Sequence, residues 1–182
     1  MQRSCVAPRR RPAVPARPGR LAFAGLKPFR RAYDWRVDQA DIALRNATYR
    51  RFVELGRAPA PHEVGAAVEL DEQQVRGGWR RLHDAHALVL DGRGEIRMAN
   101  PFSAVPTPFR VDAAGRSWYA NCAWDAFGIA VVLRADARIE TSCPDCDDPL
   151  ALNVRHNQPD DTSLVFHVLV PATSWWQDIG FT

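Results

Sequence analysis

Between residues 38 and 55 the hydrophobic positions recur with a helical period. Ile42, Leu44, Tyr49, Phe52, Val53 and Leu55 supply much of one apolar face, Asp38 stands where an N-cap belongs, and Gly56 stands where a helix stops. Pro59 and Pro61 open a short second helix over about 61–69. Asp71 follows as the cap of a third, over about 72–86, carrying Val75, Trp79 and Leu82. The pattern then changes: Leu88–Leu90 and Ile96–Ala99 flank Asp91-Gly-Arg-Gly94 and read as a hairpin.

The second half is patterned differently. Residues 100–110 hold Pro101, Pro106 and Pro108 and read as an extended linker, with Phe102, Val105 and Phe109 available to pin it down. Phe109–Val111 and Ser117–Tyr119 form a second hairpin. A helix bearing Cys122 runs through Ala126 or Phe127 and stops at Gly128. Ile129–Leu133 is an apolar run, helix or strand. Ala137–Thr141, Leu150–Val154 and Ser163–Val170 read as strands. Pro171 ends the last of them, and Ser174 caps a final turn. The expected class is α+β: a winged-helix-like three-helix module with its hairpin over 34–99, the linker over 100–110, and a mixed module of antiparallel strands and short helices over 111–182.

Charge separates the first 33 residues from the rest. They hold nine of the 24 Lys and Arg, no acid, and prolines at 8, 12, 15, 18 and 28. Such a stretch buries too little apolar surface to fold and reads as a basic, disordered arm. A targeting or nucleic-acid role for it, or a start site placed too early, stays open. The remainder carries a net charge of −6, so the overall +3 does not mark a basic face on the folded body. The third helix bears Arg76, Arg80 and Arg81 but also Glu72 and Asp84, and Gly77-Gly78 weakens it by about 1 kcal/mol per glycine. Nucleic-acid binding is therefore disfavoured, though it stays open. No run of 18 apolar residues exists and no signal peptide is visible. The four cysteines, at 5, 122, 143 and 146, do not make a disulfide framework. The expectation is a cytoplasmic protein with reduced thiols and no membrane partner.

The chemistry gathers in Tyr119-Ala-Asn-Cys-Ala-Trp-Asp125. With Asn121 as a cap, Cys122 falls in the first helical turn, where free N–H groups favour a thiolate, and Asp125 shares its face three residues on. A small buried cysteine beside an ordinary first-turn acid accounts for the same spacing. Cys143-Pro-Asp-Cys146 lies on a turn between strands. It can be incidental, hold a soft metal or act as a redox pair, and no second such motif completes a zinc site. His62, His83, His86, His156 and His167 follow no metal-site spacing. No phosphate loop, G-x-S-x-G elbow or H-E-x-x-H helix occurs, so the commonest NTPase, serine-hydrolase and zinc-protease signatures are absent.

Three blocks carry a family resemblance: Asn100-Pro-Phe-Ser-Ala-Val-Pro-Thr-Pro-Phe109, Tyr119-Ala-Asn-Cys-Ala-Trp-Asp-Ala-Phe-Gly-Ile129 and Ala137-Arg-Ile-Glu-Thr-Ser-Cys143. In order and spacing they resemble alkylmercury (organomercurial) lyases, over about residues 38–182. The resemblance implies cleavage of carbon–mercury bonds by protonolysis to a hydrocarbon and Hg(II). Cys122 would be the mercury-binding thiolate, and a partly buried Asp125 with a raised pKa would be the proton shuttle. No cofactor is implied, because mercury is substrate and product. The implied partners are an organomercurial, low-molecular-weight thiols and a mercuric reductase. The family places a second active-site cysteine after a tryptophan-rich segment, and this sequence ends at Thr182 before reaching one. The expectations are a domain cut short of that cysteine, or a site using Cys143 or Cys146 instead. The alternative function is a non-catalytic thiol protein binding Hg(II), or a winged-helix regulator.

Overall fold

A computed structural model describes residues 38–165, 168 and 170–180. The basic arm of residues 1–33 lies outside the described residues. Three helices come first: α1 (Gln39–Leu55), α2 (Pro61–Val68) and α3 (Glu72–Asp84). Their ends obey the sequence. Asp38 accepts the Asp41 N–H at 2.9 Å, and Gly56, at φ 70°, ends α1. At α3, Asp71 accepts from Gln74 N–H at 2.8 Å while Gln74 accepts from Asp71 N–H at 2.9 Å, a reciprocal cap.

The three helices enclose Leu44, Phe52, Val64, Val75, Trp79 and Leu82, all essentially without solvent exposure. The buried Trp79 indole N–H donates to Thr48 Oγ1 at 2.9 Å, and Thr48 donates onward to the Leu44 carbonyl at 2.8 Å. Gly78 leaves room for Leu44. A Cβ there would stand 2.2 Å from Leu44 Cδ2, so the residue that weakens α3 as a helix is the one that lets α1 approach it.

Eight strands follow in one antiparallel sheet: β1 (Val89–Leu90), β2 (Ile96–Ala99), β3 (Phe102–Ser103), β4 (Arg110–Ala113), β5 (Arg116–Ala120), β6 (Ala137–Ser142), β7 (Pro149–Arg155) and β8 (Gln158–Pro159). Their spatial order is β1-β2-β3-β5-β4-β6-β7-β8. The observed architecture is α+β, as the sequence predicts. The β4–β5 hairpin is tighter than the sequence suggests, because Ala114 and Gly115 both take positive φ and close it in two residues. Alternation sends Val111, Ala113, Trp118 and Ala120 inward.

A fourth helix, α4 (Ala123–Leu133), lies against β4, β5 and β6 and buries Ala126, Ile129 and Ala130. It corrects the expected stop at Gly128: the apolar run Ile129–Leu133 is the continuation of the same helix. Gly128 lets Pro101 approach closely, since a Cβ would come within 3.3 Å of Pro101 Cβ. Residues 100–110, expected as a linker, contain β3. Phe102 is fully buried, 5.3 Å from Phe52 and 6.2 Å from Trp118 between ring centroids, so it ties the helices to the sheet in one core.

Two further expectations change. The described part of Ser163–Val170 is not strand; Phe166, His167 and Leu169 lie outside the described residues. A 3-10 helix occupies Ala172–Gln177, and Ser174 lies inside it with no side-chain cap at its start. That segment is anchored by Trp176, stacked on His86 at 3.9 Å.

Candidate active site

The end of β5 sets the site. Ala120 is pinned from both sides: its N–H donates to the Phe109 carbonyl at 2.9 Å, and its own carbonyl accepts from Thr107 Oγ1 at 2.6 Å. The chain then turns through Asn121 into α4. Cys122 is the N-cap itself, extended at φ −151° and ψ 179°, and Ala123 is the first helical residue. This corrects the reading in which Asn121 caps and Cys122 lies one position inside. The Cys122 carbonyl accepts the Ala126 N–H at 3.0 Å, but no side-chain hydrogen bond caps the helix.

Asp125 is the third residue of α4, on the same face as Cys122, and the two groups are near enough to shift each other's titration. Burial pushes the thiol above its ordinary value. The N–H groups of Asp125 and Trp124 oppose that shift, and the Asp125 charge adds to it. The sequence expectation of a thiolate favoured by the helix start is therefore reversed: desolvation outweighs the N–H groups. Burial also raises the Asp125 carboxyl, against the hydrogen bonds from Asn121 and Cys122, in the direction expected from the sequence.

Asn121 and Trp124 flank the pair; the sequence used Asn121 only as a helix cap and gave Trp124 no role. Asn121 Nδ2 donates to Asp125 Oδ2 at 3.0 Å and to Asn100 Oδ1 at 3.2 Å, while Asn121 Oδ1 is buried and accepts from no described residue. Tyr49, from α1, is close enough to Asp125 that the carboxylate charge adds to the effect of burial in raising the phenol pKa; Arg45, whose guanidinium lies 4.5 Å from the ring centroid, opposes it. Trp124, next to the pair, is 69% exposed.

The remaining candidate cysteines lie elsewhere: Cys143 is a free thiol, whereas Cys146 is disulfide-bonded, against the expectation of reduced thiols. Cys143 is half-buried where the chain leaves β6, and its N–H donates to the Asp148 carbonyl at 2.9 Å; Cys146 is on the exposed turn that follows. Arg110 pairs with both Tyr119 and Glu140, so Cys122 and Cys143 emerge at the same end of the sheet. The intervening β4 keeps those strand ends roughly 10 Å apart. Among the described residues no group of three or more His, Cys, Asp or Glu side chains could hold a metal ion. Nor is any helix there long and apolar enough to cross a membrane. On α3, Arg81 forms a forked pair with the buried Asp41 at 2.6 and 2.8 Å, and Arg76 pairs with Glu95 at 2.8 Å.

The fold and site thus define an α+β protein with a thiol–carboxyl pair at the start of a sheet-packed helix. Residues 102–182 match the family model of alkylmercury lyase, MerB, so the resemblance read from the sequence is shown over a segment that includes Cys122, Asp125 and Cys143. The solved structures similar to this chain include the mercury-bound form of MerB2, at 21% identity and a TM-score of 0.55. That likeness covers 69% of this chain and 60% of that one, and at such identity it concerns the fold. A comparison with curated proteins finds no match.

Proposed function

We propose that this protein cleaves carbon–mercury bonds by protonolysis, with Cys122 taking the mercury and Asp125 moving the proton. The observation that carries the reading is the placement of thiol and carboxyl together, at the N-cap and third residue of α4, inside the segment that matches alkylmercury lyase. Mercury is a soft metal and thiolate its preferred ligand. With both groups raised, the thiol keeps its proton at neutral pH and the carboxylate is a stronger base than usual. When an organomercury cation meets Cys122, the S–Hg bond forms and the thiol proton passes to Asp125. The carboxylic acid then protonates the mercury-bound carbon. The electron pair of the C–Hg bond becomes the new C–H bond, and the hydrocarbon departs.

Hg(II) remains on the Cys122 thiolate beside the Asp125 carboxylate. Two low-molecular-weight thiols remove it as a bis-thiolate, returning one proton to Cys122 and one to solvent. This chemistry needs no resident cofactor and suits a thiol-rich cytoplasm. A mercuric reductase is the class of enzyme that would consume the product.

A non-catalytic Hg(II) binder would require Cys122 but not a proton donor. Transcriptional regulation has less support, since Arg81 and Arg76 of α3 are engaged by Asp41 and Glu95. The test is benzene release from phenylmercury with excess thiol, comparing the parent with Cys122→Ser. Release by the parent alone supports the reading, and none from a folded parent overturns it.

A further inference from the structure

We propose that Asn121 is a positioning residue for Asp125, holding the carboxyl's rotation and reserving Oδ1 as the oxygen that exchanges the proton. Its catalytic consequence rests on the lyase reading; the positioning itself does not.

The amide nitrogen of an asparagine has two hydrogens to give. Here one goes to Asp125 Oδ2 at 3.0 Å and the other to Asn100 Oδ1 at 3.2 Å. The ionised Asp125 carboxylate can only accept, so the Asn121 amide must turn its nitrogen toward it, and Asn100 presents its oxygen to the second hydrogen. The three residues come from separate places, namely the turn between β2 and β3, the end of β5, and the first turn of α4. Asn100 is steadied in turn by its neighbour Pro101, which packs against α4 at Gly128. A carboxylate whose Oδ2 already accepts an amide N–H is protonated more readily on Oδ1. The proton that leaves Cys122 is thereby directed to one oxygen of a carboxyl that cannot rotate freely.

The other end of Asn121 argues against a purely structural role. Its Oδ1 is buried without a donor among the described residues. A buried acceptor without a partner is a cost to stability, and an apolar residue of similar size would avoid it. What the asparagine supplies in return is its pair of N–H bonds, one of them to the proton-carrying group.

The test is the titration of Asp125 in the full chain, followed by carboxyl carbon NMR without substrate. The bond from Asn121 lowers the Asp125 pKa, so Asn121→Leu, which keeps the volume and removes the donor, is expected to raise its proton affinity by about tenfold. Asn100→Ala frees the amide and is expected to give a smaller change of the same sign. In the benzene-release assay Asn121→Leu lowers kcat by about tenfold and moves the acid limb of the pH profile upward, with phenylmercury affinity unchanged. An unaltered Asp125 titration in Asn121→Leu overturns the proposal. Should that variant not fold, Asn121→Ala, which also removes the donor, takes its place under the same criterion. A folded parent that releases no benzene defeats the lyase reading, while the NMR arm still decides the positioning.

Discussion

Cys122 and Asp125 occupy the N-cap and the third position of α4, the two places that a capping box links. A serine or threonine at the first would cap the helix through its hydroxyl, whereas the Cys122 sulfur makes no capping hydrogen bond. The thiol is thus a weaker structural choice than its oxygen analogue at this position. Cys122→Ser is expected to raise unfolding stability by about 0.5–1 kcal/mol, because a hydroxyl oxygen accepts the helix-start N–H groups better than the sulfur does, while mercury binding is lost. Urea denaturation of parent and variant at pH 7 checks the first half, and titration with phenylmercury the second.

The carboxyl of Asp125 has the opposite relation to stability. Its folded-state pKa is raised above the ordinary 3.8 by burial, so its ionised form is penalised only in the folded protein. The favourable state is complete below pH 3.8, and stability is lost as pH climbs through the folded pKa. Asp125→Asn carries no charge to penalise. It is expected to be more stable than the parent at pH 7, with the gap closing as pH falls to 3.8 and below. Thermal midpoints across that range provide the measurement.

Much of this arrangement was legible in the sequence. Asp38, Gly56 and Asp71 mark helix ends through local chemistry, and the i, i+3 spacing of Cys122 and Asp125 suffices to place them together. What was not legible depends on distant partners. Gly128 reads as a helix stop, yet it lies inside α4 where Pro101 packs closely against it. Asn100 lies 21 residues from Asn121, and Tyr49, whose phenol feels the Asp125 charge, belongs to a different helix altogether. The thiol's raised pKa escaped prediction for the same reason, since desolvation is set by the packing of α4 on the sheet.

The pairing of Arg81 with Asp41 makes a separate claim about the helical module. Asp41 is only 4% exposed, and its two oxygens accept from the Arg81 fork. Arg81→Ala would leave a buried carboxylate unpartnered, with an expected loss of about 1–3 kcal/mol in unfolding stability. If Arg81 were instead kept for phosphate contact, the variant would lose salt-dependent DNA retardation and little stability. Denaturation and gel retardation of the same variant separate the two.

The most direct measurement is single-turnover benzene release from phenylmercury-loaded Asp125→Asn, set beside its phenylmercury affinity. Removing a positioned proton donor is expected to slow release about 100- to 10,000-fold while affinity, governed by Cys122, stays within about threefold of the parent. Release at the parental rate from that variant would contradict the account, because the proton would then be reaching carbon without Asp125.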